Sequence, residues 1–228
     1  MSIKKRKYSL VYASKYAVSF KKNRPLHLMI AIYIIFLVIL SVEPFNGFEW
    51  WYGNLAAVIV VTVLAVSYRR GRLTNSSYAC ILLLLILHTV GAHYTYLFCP
   101  IGDWMKGICG FKRNNYDRLV SFAFGLIISI PVIEVLYHRL RLRYIQACVL
   151  SAIIILSICS FYELVEMYSS MILSSQQAVV FLGRQGDMWD SQNDMGMGLL
   201  GSLITMGGCI FFKLKKNHKI HMVKYNSN

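Results

Sequence analysis

Apolar positions in this chain do not alternate with polar ones at a strand or helix period; they accumulate. Six runs are almost free of Asp, Glu, Lys and Arg: Pro25–Val42, Trp50–Tyr68, Asn75–Pro100, Leu119–Tyr137, Tyr144–Tyr162 and Met195–Phe212. A helix rising about 1.5 Å per residue needs roughly 20 apolar residues to cross a hydrocarbon core, and each run has that length to within a few residues. A helix of a soluble protein carries a polar stripe along one face, and these runs carry none. The pattern predicts an all-α membrane protein, a bundle of six transmembrane helices. The first run starts too late, is too long and lacks a small-residue cleavage site, so it reads as a span and not as a signal peptide.

Composition agrees with the pattern: 57% of the 228 residues are hydrophobic and 15% charged. The polar stretches between runs leave no room for a soluble domain. The expected organisation is a basic arm over residues 1–24, a transmembrane domain over 25–212 and a basic tail over 213–228. The net charge of +14 would suit a nucleic-acid binder, but its placement excludes that reading. Lys and Arg gather in Lys4–Lys7, Lys15, Lys21–Arg24, Arg69–Arg72, Arg139–Arg143 and Lys213–Lys224, at alternate ends of the runs. Of 24 basic residues only Lys106, Lys112, Arg113, Arg118 and Arg184 lie at the other ends, leaving 19. Basic residues stay on the cytoplasmic side of a membrane, so both termini are expected there, with the basic segments against anionic lipid. The partner implied is the bilayer, with no nucleic acid.

The acids take the opposite side. Nine of the ten, Glu43, Glu49, Asp103, Asp117, Glu163, Glu166, Asp187, Asp190 and Asp194, fall on the expected outer side, and Glu134 near the inner one. His88 and His93 lie in the outer half of the third run. Asp117 and Asp194 are expected to start helices, where a carboxylate satisfies free N–H groups and the positive end of the dipole. That account fails for Glu163 and Glu166, three residues apart on one face and expected at the negative end of the fifth helix. A cation should meet them, and Arg118 is the natural partner. His88 and His93 are five apart, about 140° around a helix, and do not point at one ion unless Gly91 distorts the helix. Taken singly, His88 reads as a core histidine hydrogen-bonded to another helix. Asp187, Asp190 and Asp194, spaced three and four apart, are expected along one face of a short helix entering the sixth span. Trp50, Trp51 and Trp189 read as interface anchors. Cys99 and Cys109 share an outer loop where an oxidising compartment would allow a disulfide.

Ionisable groups at membrane depth mark functional sites by default. The candidate site is therefore His88, His93, Asp117, Arg118, Glu163, Glu166, Asp187, Asp190 and Asp194, opening to the outer leaflet. In an enzyme, one carboxylate would be a general base and Arg118 would hold an anionic lipid-like ligand or lipid-linked precursor. His with carboxylate is also a metal-ligand set, though the sequence names no cofactor. Two other functions compete: transport of an ion or small solute, which needs a polar path reaching Glu134, and a structural or regulatory role in which the acids only orient helices.

Five stretches resemble the YjdF-type family of bacterial inner-membrane proteins: YRRGRLTNSSY (Tyr68–Tyr78), HTVGAHYTY (His88–Tyr96), RNNYDRLVSFAFG (Arg113–Gly125), YELVE (Tyr162–Glu166) and FLGRQGDMWDSQNDM (Phe181–Met195). The resemblance implies a multi-pass inner-membrane protein and assigns no reaction. It also implies a histidine, four residues after the aspartate, where this chain has Ser121. Serine is neither a base nor a good metal ligand, so any chemistry resting on that pair is altered here. A more distant similarity to VanZ-like membrane proteins concerns fold alone.

The charge asymmetry makes a prediction. Reporter fusions active only in the periplasm should be active after Asp103 or Asp187 and silent after Arg143 or at the C-terminus. The reverse pattern would overturn the orientation.

Overall fold

The computed structural model describes residues 19–68, 73–173 and 185–225, with side chains described as far as residue 215. Residues 1–18 of the basic arm, the arginines at 69–72 and residues 181–184 of the last family-like stretch lie outside the described residues. Among the described residues the chain is all helix and turn. After a short 3-10 turn at Phe20–Lys22 come α1 (Arg24–Ser41), α2 (Gly47–Ser67), α3 (Asn75–His93), α4 (Pro100–Cys109), α5 (Tyr116–His138), α6 (Tyr144–Ile172) and α7 (Asp190–Tyr225). All except α4 are long and apolar enough to cross a membrane.

Three of the six expected spans have clearly different limits. The third run continues to Pro100, but α3 stops at His93. There Tyr96 N–H bonds the Gly91 carbonyl and Thr95 N–H the Ala92 carbonyl, a double closure that terminates a helix. Pro100 then opens α4, where its missing N–H costs nothing. The fifth run was expected to end at Tyr162, yet α6 continues to Ile172. Glu163 and Glu166 are consequently inside a helix and not at its negative end, so the dipole argument against them does not apply. The last helix begins at Asp190 and not at Asp194.

Helices α5 and α3 organise the bundle. α7, α6 and α3 pack on α5, while α1 and α2 pack on α3. The outer surface is apolar: Ile34, Ile35, Val38 and Ile39 of α1 and Val58, Ile59 and Val63 of α2 are all exposed. Such a surface suits hydrocarbon and not water.

Small residues decide how closely α5 and α7 approach. Gly125 and Ser129 on one helix, and Gly198 and Ser202 on the other, are spaced four apart, the pattern that lets membrane helices touch through their backbones. A methyl group on Gly125 would strike the Gly198 carbonyl, and one on Gly201 the Phe122 carbonyl. Ser129 donates to the Gly125 carbonyl at 2.7 Å and, having one proton, accepts from the Ser202 hydroxyl 2.8 Å away, with both side chains fully buried.

Polar ties hold the two ends of the bundle. At the basic end, Glu134 of α5 accepts from Thr74 N–H at 2.8 Å, the Thr74 hydroxyl at 2.7 Å and the Ser77 hydroxyl. A carboxylate thereby sits on the first turn of α3, where the helix dipole favours it. At the acidic end, Phe45 N–H bonds the His93 carbonyl at 3.0 Å, and Tyr52 of α2 bonds Ser169 of α6. Cys99 and Cys109 are free: they flank α4, and ten helical residues separate them by about 15 Å, beyond disulfide reach. Trp51 and Trp189 are exposed as anchors should be, but Trp50 is buried, and Trp104 on α4 is exposed in its stead.

Overpacking an interface of this kind costs about 1–3 kcal/mol. Gly125→Ala and Gly201→Ala should each lower the unfolding temperature in detergent. Gly208→Ala, which would meet nothing within 4 Å, should leave it unchanged or slightly higher; equal responses at all three positions would contradict a tight α5–α7 contact.

Candidate functional site

The site grows out of two adjacent helix starts. Asp117 lies in the first turn of α5, Asp190 opens α7, and Asp194 follows one turn later on the same face. Because α5 and α7 pack side by side, ligand oxygens of all three aspartates lie within 4.8 Å of one another.

Two arginines meet this negative charge. Arg113, just before α5, bonds both Asp117 and Asp190 and stands 3.6 Å from Asp187, with its side chain only 10% exposed. Burial works against its charge, but Asp117 and Asp190 outweigh that and hold its pKa above the ordinary value. Arg118 bonds Asp187 and lies 3.7 Å from Asp190. The expected pairing of Arg118 with Glu163 or Glu166 is therefore corrected. Arg118 leaves the first turn of α5 toward the segment leading into α7, the helix that packs most extensively on α5. Asp187 precedes α7 instead of lying on a helical face. It accepts from Trp189 N–H at 2.9 Å and Asn193 at 3.1 Å, and these bonds with Arg118 hold its pKa below the usual carboxylate range.

The loop carrying Arg113 is itself braced. Asn114 is buried and donates to the Cys99 carbonyl at 2.9 Å and to Asp103 at 3.0 Å. Its backbone exchanges hydrogen bonds with the Gln185 side chain, 3.0 Å and 2.8 Å. Sequence reasoning overlooked Arg113 and Asn114. The available signal was the spacing of Arg113 and Asp117, four residues apart.

A cavity of about 440 Å³ runs inward from the aspartates. Asp117, Asp190, Asp194, Glu163 and Glu166 line it together with Ser121, Thr95, Tyr96 and Tyr162. Apart from His88 and Gln185, the rest of its wall is mainly apolar, including Ala56, Ile59, Val60, Phe124, Ile158 and Phe161. Ser121, where the family resemblance implies histidine, faces this cavity.

His88 also lines the cavity, but both of its nitrogens are committed. Nε2 lies 2.9 Å from the Gly53 carbonyl and Nδ1 2.6 Å from the Tyr96 hydroxyl. A carbonyl only accepts, so the neutral ring carries its proton on Nε2 and Nδ1 accepts from the phenol. Burial raises the Tyr96 pKa well above its ordinary value, which keeps that phenol protonated. Gly91 makes the arrangement sterically feasible, since any β-carbon there would collide with the Tyr96 ring. Thr95 and Tyr96 pay with left-handed backbones, φ 54° and 59°, a conformation costing roughly 1–2 kcal/mol per residue. His93 does not join the cluster; its Nδ1 donates to the Leu40 carbonyl of α1 at 2.8 Å. Both histidines thus have the helix-to-helix hydrogen bonds of core histidines.

Removing one partner of a buried ion pair costs about 3–5 kcal/mol. Arg113→Met should therefore destabilise the detergent-purified protein by about that much, and more than Arg118→Met. Adding Asp190→Asn should recover part of the loss. Strictly additive losses in the double-mutant cycle would exclude the coupling.

Comparison with known proteins closes the description. The inner membrane protein YjdF of Escherichia coli (strain K12) is 33% identical to this chain over 178 residues, which cover 75% of this chain and 82% of that protein. No solved structure matches. Residues 25–215 match the family model described as "Predicted membrane protein (DUF2238)", a stretch that takes in all six apolar spans and every residue of the acidic cluster. The chain is a multi-pass inner-membrane protein, and it belongs to the DUF2238 family of predicted membrane proteins.

Proposed function

We propose that the protein binds and acts on a lipid-type molecule of the cell envelope, with the molecule's apolar chain inside the bundle and its head group at the aspartates. One observation carries the reading: the cavity of about 440 Å³ is itself amphiphilic, lined by carboxylates and tyrosines together with a largely apolar wall. Ligand sites are typically cavities of about 300–1,000 Å³ with few polar groups on an apolar lining.

The route of entry follows from the packing. Ile59 and Val60 of α2 and Ile158 and Phe161 of α6 line the cavity and are exposed on the bundle surface. The two helices are not a closely packed pair, although Tyr52 and Ser169 tie them at the acidic end. A seam between α2 and α6 admits a hydrocarbon chain sideways from the bilayer, without exposing it to water. With the orientation expected from charge, the head group lies at the outer leaflet.

For catalysis, the carboxylates facing the cavity are better general bases than His88, whose nitrogens are already hydrogen-bonded. Arg118 is engaged by Asp187, so it suits anchoring of the acidic loop better than capture of an anion. Transport is less well supported. Glu134, the acid available to continue a polar path, is held by Thr74 and Ser77 and is not among the residues lining the cavity.

Lipid extracted from the protein, purified in mild detergent, should contain one enriched species by mass spectrometry. Ala56→Trp and Ser121→Phe, which fill the cavity, should reduce that species at least about tenfold without matching loss of folded protein. Val66→Phe, on the 75% exposed outer face, should retain it. A lipid profile identical in all four proteins would sink the proposal.

A further inference from the structure

We infer that Asp117, Asp190 and Asp194 form a site for one hard divalent cation. The inference stands on charge, geometry and an orphaned oxygen, and does not presuppose the lipid reading.

The charge does not balance. Four aspartates, Asp117, Asp187, Asp190 and Asp194, share two arginines, Arg113 and Arg118. Arg113 is occupied by Asp117 and Asp190, and Arg118 by Asp187. Among the described residues of this cluster two negative charges remain over, in a region where Asp190 is 5% and Asp194 9% exposed. Asp190 and Asp194 are four apart on one helix face, where like charges repel. One divalent cation cancels the excess.

The oxygen donors are suitably placed. Two oxygens on opposite sides of a cation bound at about 2.1–2.5 Å are about 4–5 Å apart, and the three aspartates offer atoms within 4.8 Å of each other. Arg113 bonds one oxygen each of Asp117 and Asp190, and the Arg118 N–H donates to the other Asp117 oxygen at 2.7 Å, so the cation shares the lone pairs these bonds leave over. The decisive observation is Asp194: it is nine-tenths buried, its Oδ1 has no hydrogen-bond partner, and it faces the cavity alongside the other two. Leaving a buried carboxylate oxygen bare costs free energy, and neither arginine bonds it. An all-oxygen donor set selects magnesium, calcium or manganese over zinc or copper. The cavity gives the ion its entry path and leaves coordination positions open to water or to an oxygen of a ligand.

The test uses the full-length protein in detergent, delipidated and stripped with EDTA. Mn²⁺ titrated against it by electron paramagnetic resonance should show one saturable site per chain. Mn²⁺, Ca²⁺ or Mg²⁺ should raise the unfolding temperature. Asp194→Asn should weaken Mn²⁺ binding at least about tenfold, while Glu43→Gln, outside the cluster, should not. If Asp194→Asn does not accumulate, Asp117→Asn carries the same expectation. No saturable Mn²⁺ binding by the wild type would overturn the site. So would undiminished binding in the variant. A variant more stable than a cation-insensitive wild type would show that protons neutralise the excess charge, and would overturn it too.

Discussion

The contact between α5 and α7 is the constraint on which the rest of the structure depends. Its glycines and serines let two backbones touch, and Ser129 and Ser202 hydrogen-bond each other in the resulting dry seam. In hydrocarbon there is no hydrophobic drive to bring helices together, so shape and interhelical hydrogen bonds must do it. Because the seam holds the two helices close, the first turns of both arrive side by side at one end of the bundle. Those turns carry Asp117, Asp190 and Asp194. The acidic cluster is thus a direct consequence of packing some residues away.

The cluster persists because the loops around it supply cations and hydrogen bonds. Arg113 and Arg118 reach back over the helix starts, and Asn114 fastens the loop that carries Arg113 to α4 and to Gln185. The far end of the bundle shows a contrasting use of an acid. Glu134 is fully engaged by three donors from Thr74 and Ser77 at the start of α3, and its role is complete as a helix-to-helix tie. The aspartates differ in facing a cavity, with the Asp194 Oδ1 lacking a hydrogen-bond partner, and that difference motivates the proposed cation site.

The HTVGAHYTY stretch links the two halves of the fold. Gly91 accepts the Tyr96 ring, Tyr96 bonds His88, and His88 bonds α2 through the Gly53 carbonyl. One strained turn therefore fastens α2 to α3 and sets one wall of the cavity.

Span number and helical class were legible in the sequence, because each depends on where a residue sits along one axis. Hydrocarbon selects long apolar runs, and the membrane sorts charges by side. The gathering of Asp117, Glu163, Glu166, Asp190 and Asp194 at one level was legible for the same reason. What only the tertiary structure decided is angular: which face of each helix meets which neighbour. Nearly uniform apolarity leaves no stripe to mark the buried face, so the partner of Arg118, the burial of Trp50 and the engagement of His93 with α1 could not be read in advance. Helix limits escaped too. The α3 end is set by the Tyr96 ring folding back onto Gly91, and the α6 end lies beyond two glutamates where Ser169 bonds Tyr52 of α2; neither limit shows in the hydrophobicity of the run.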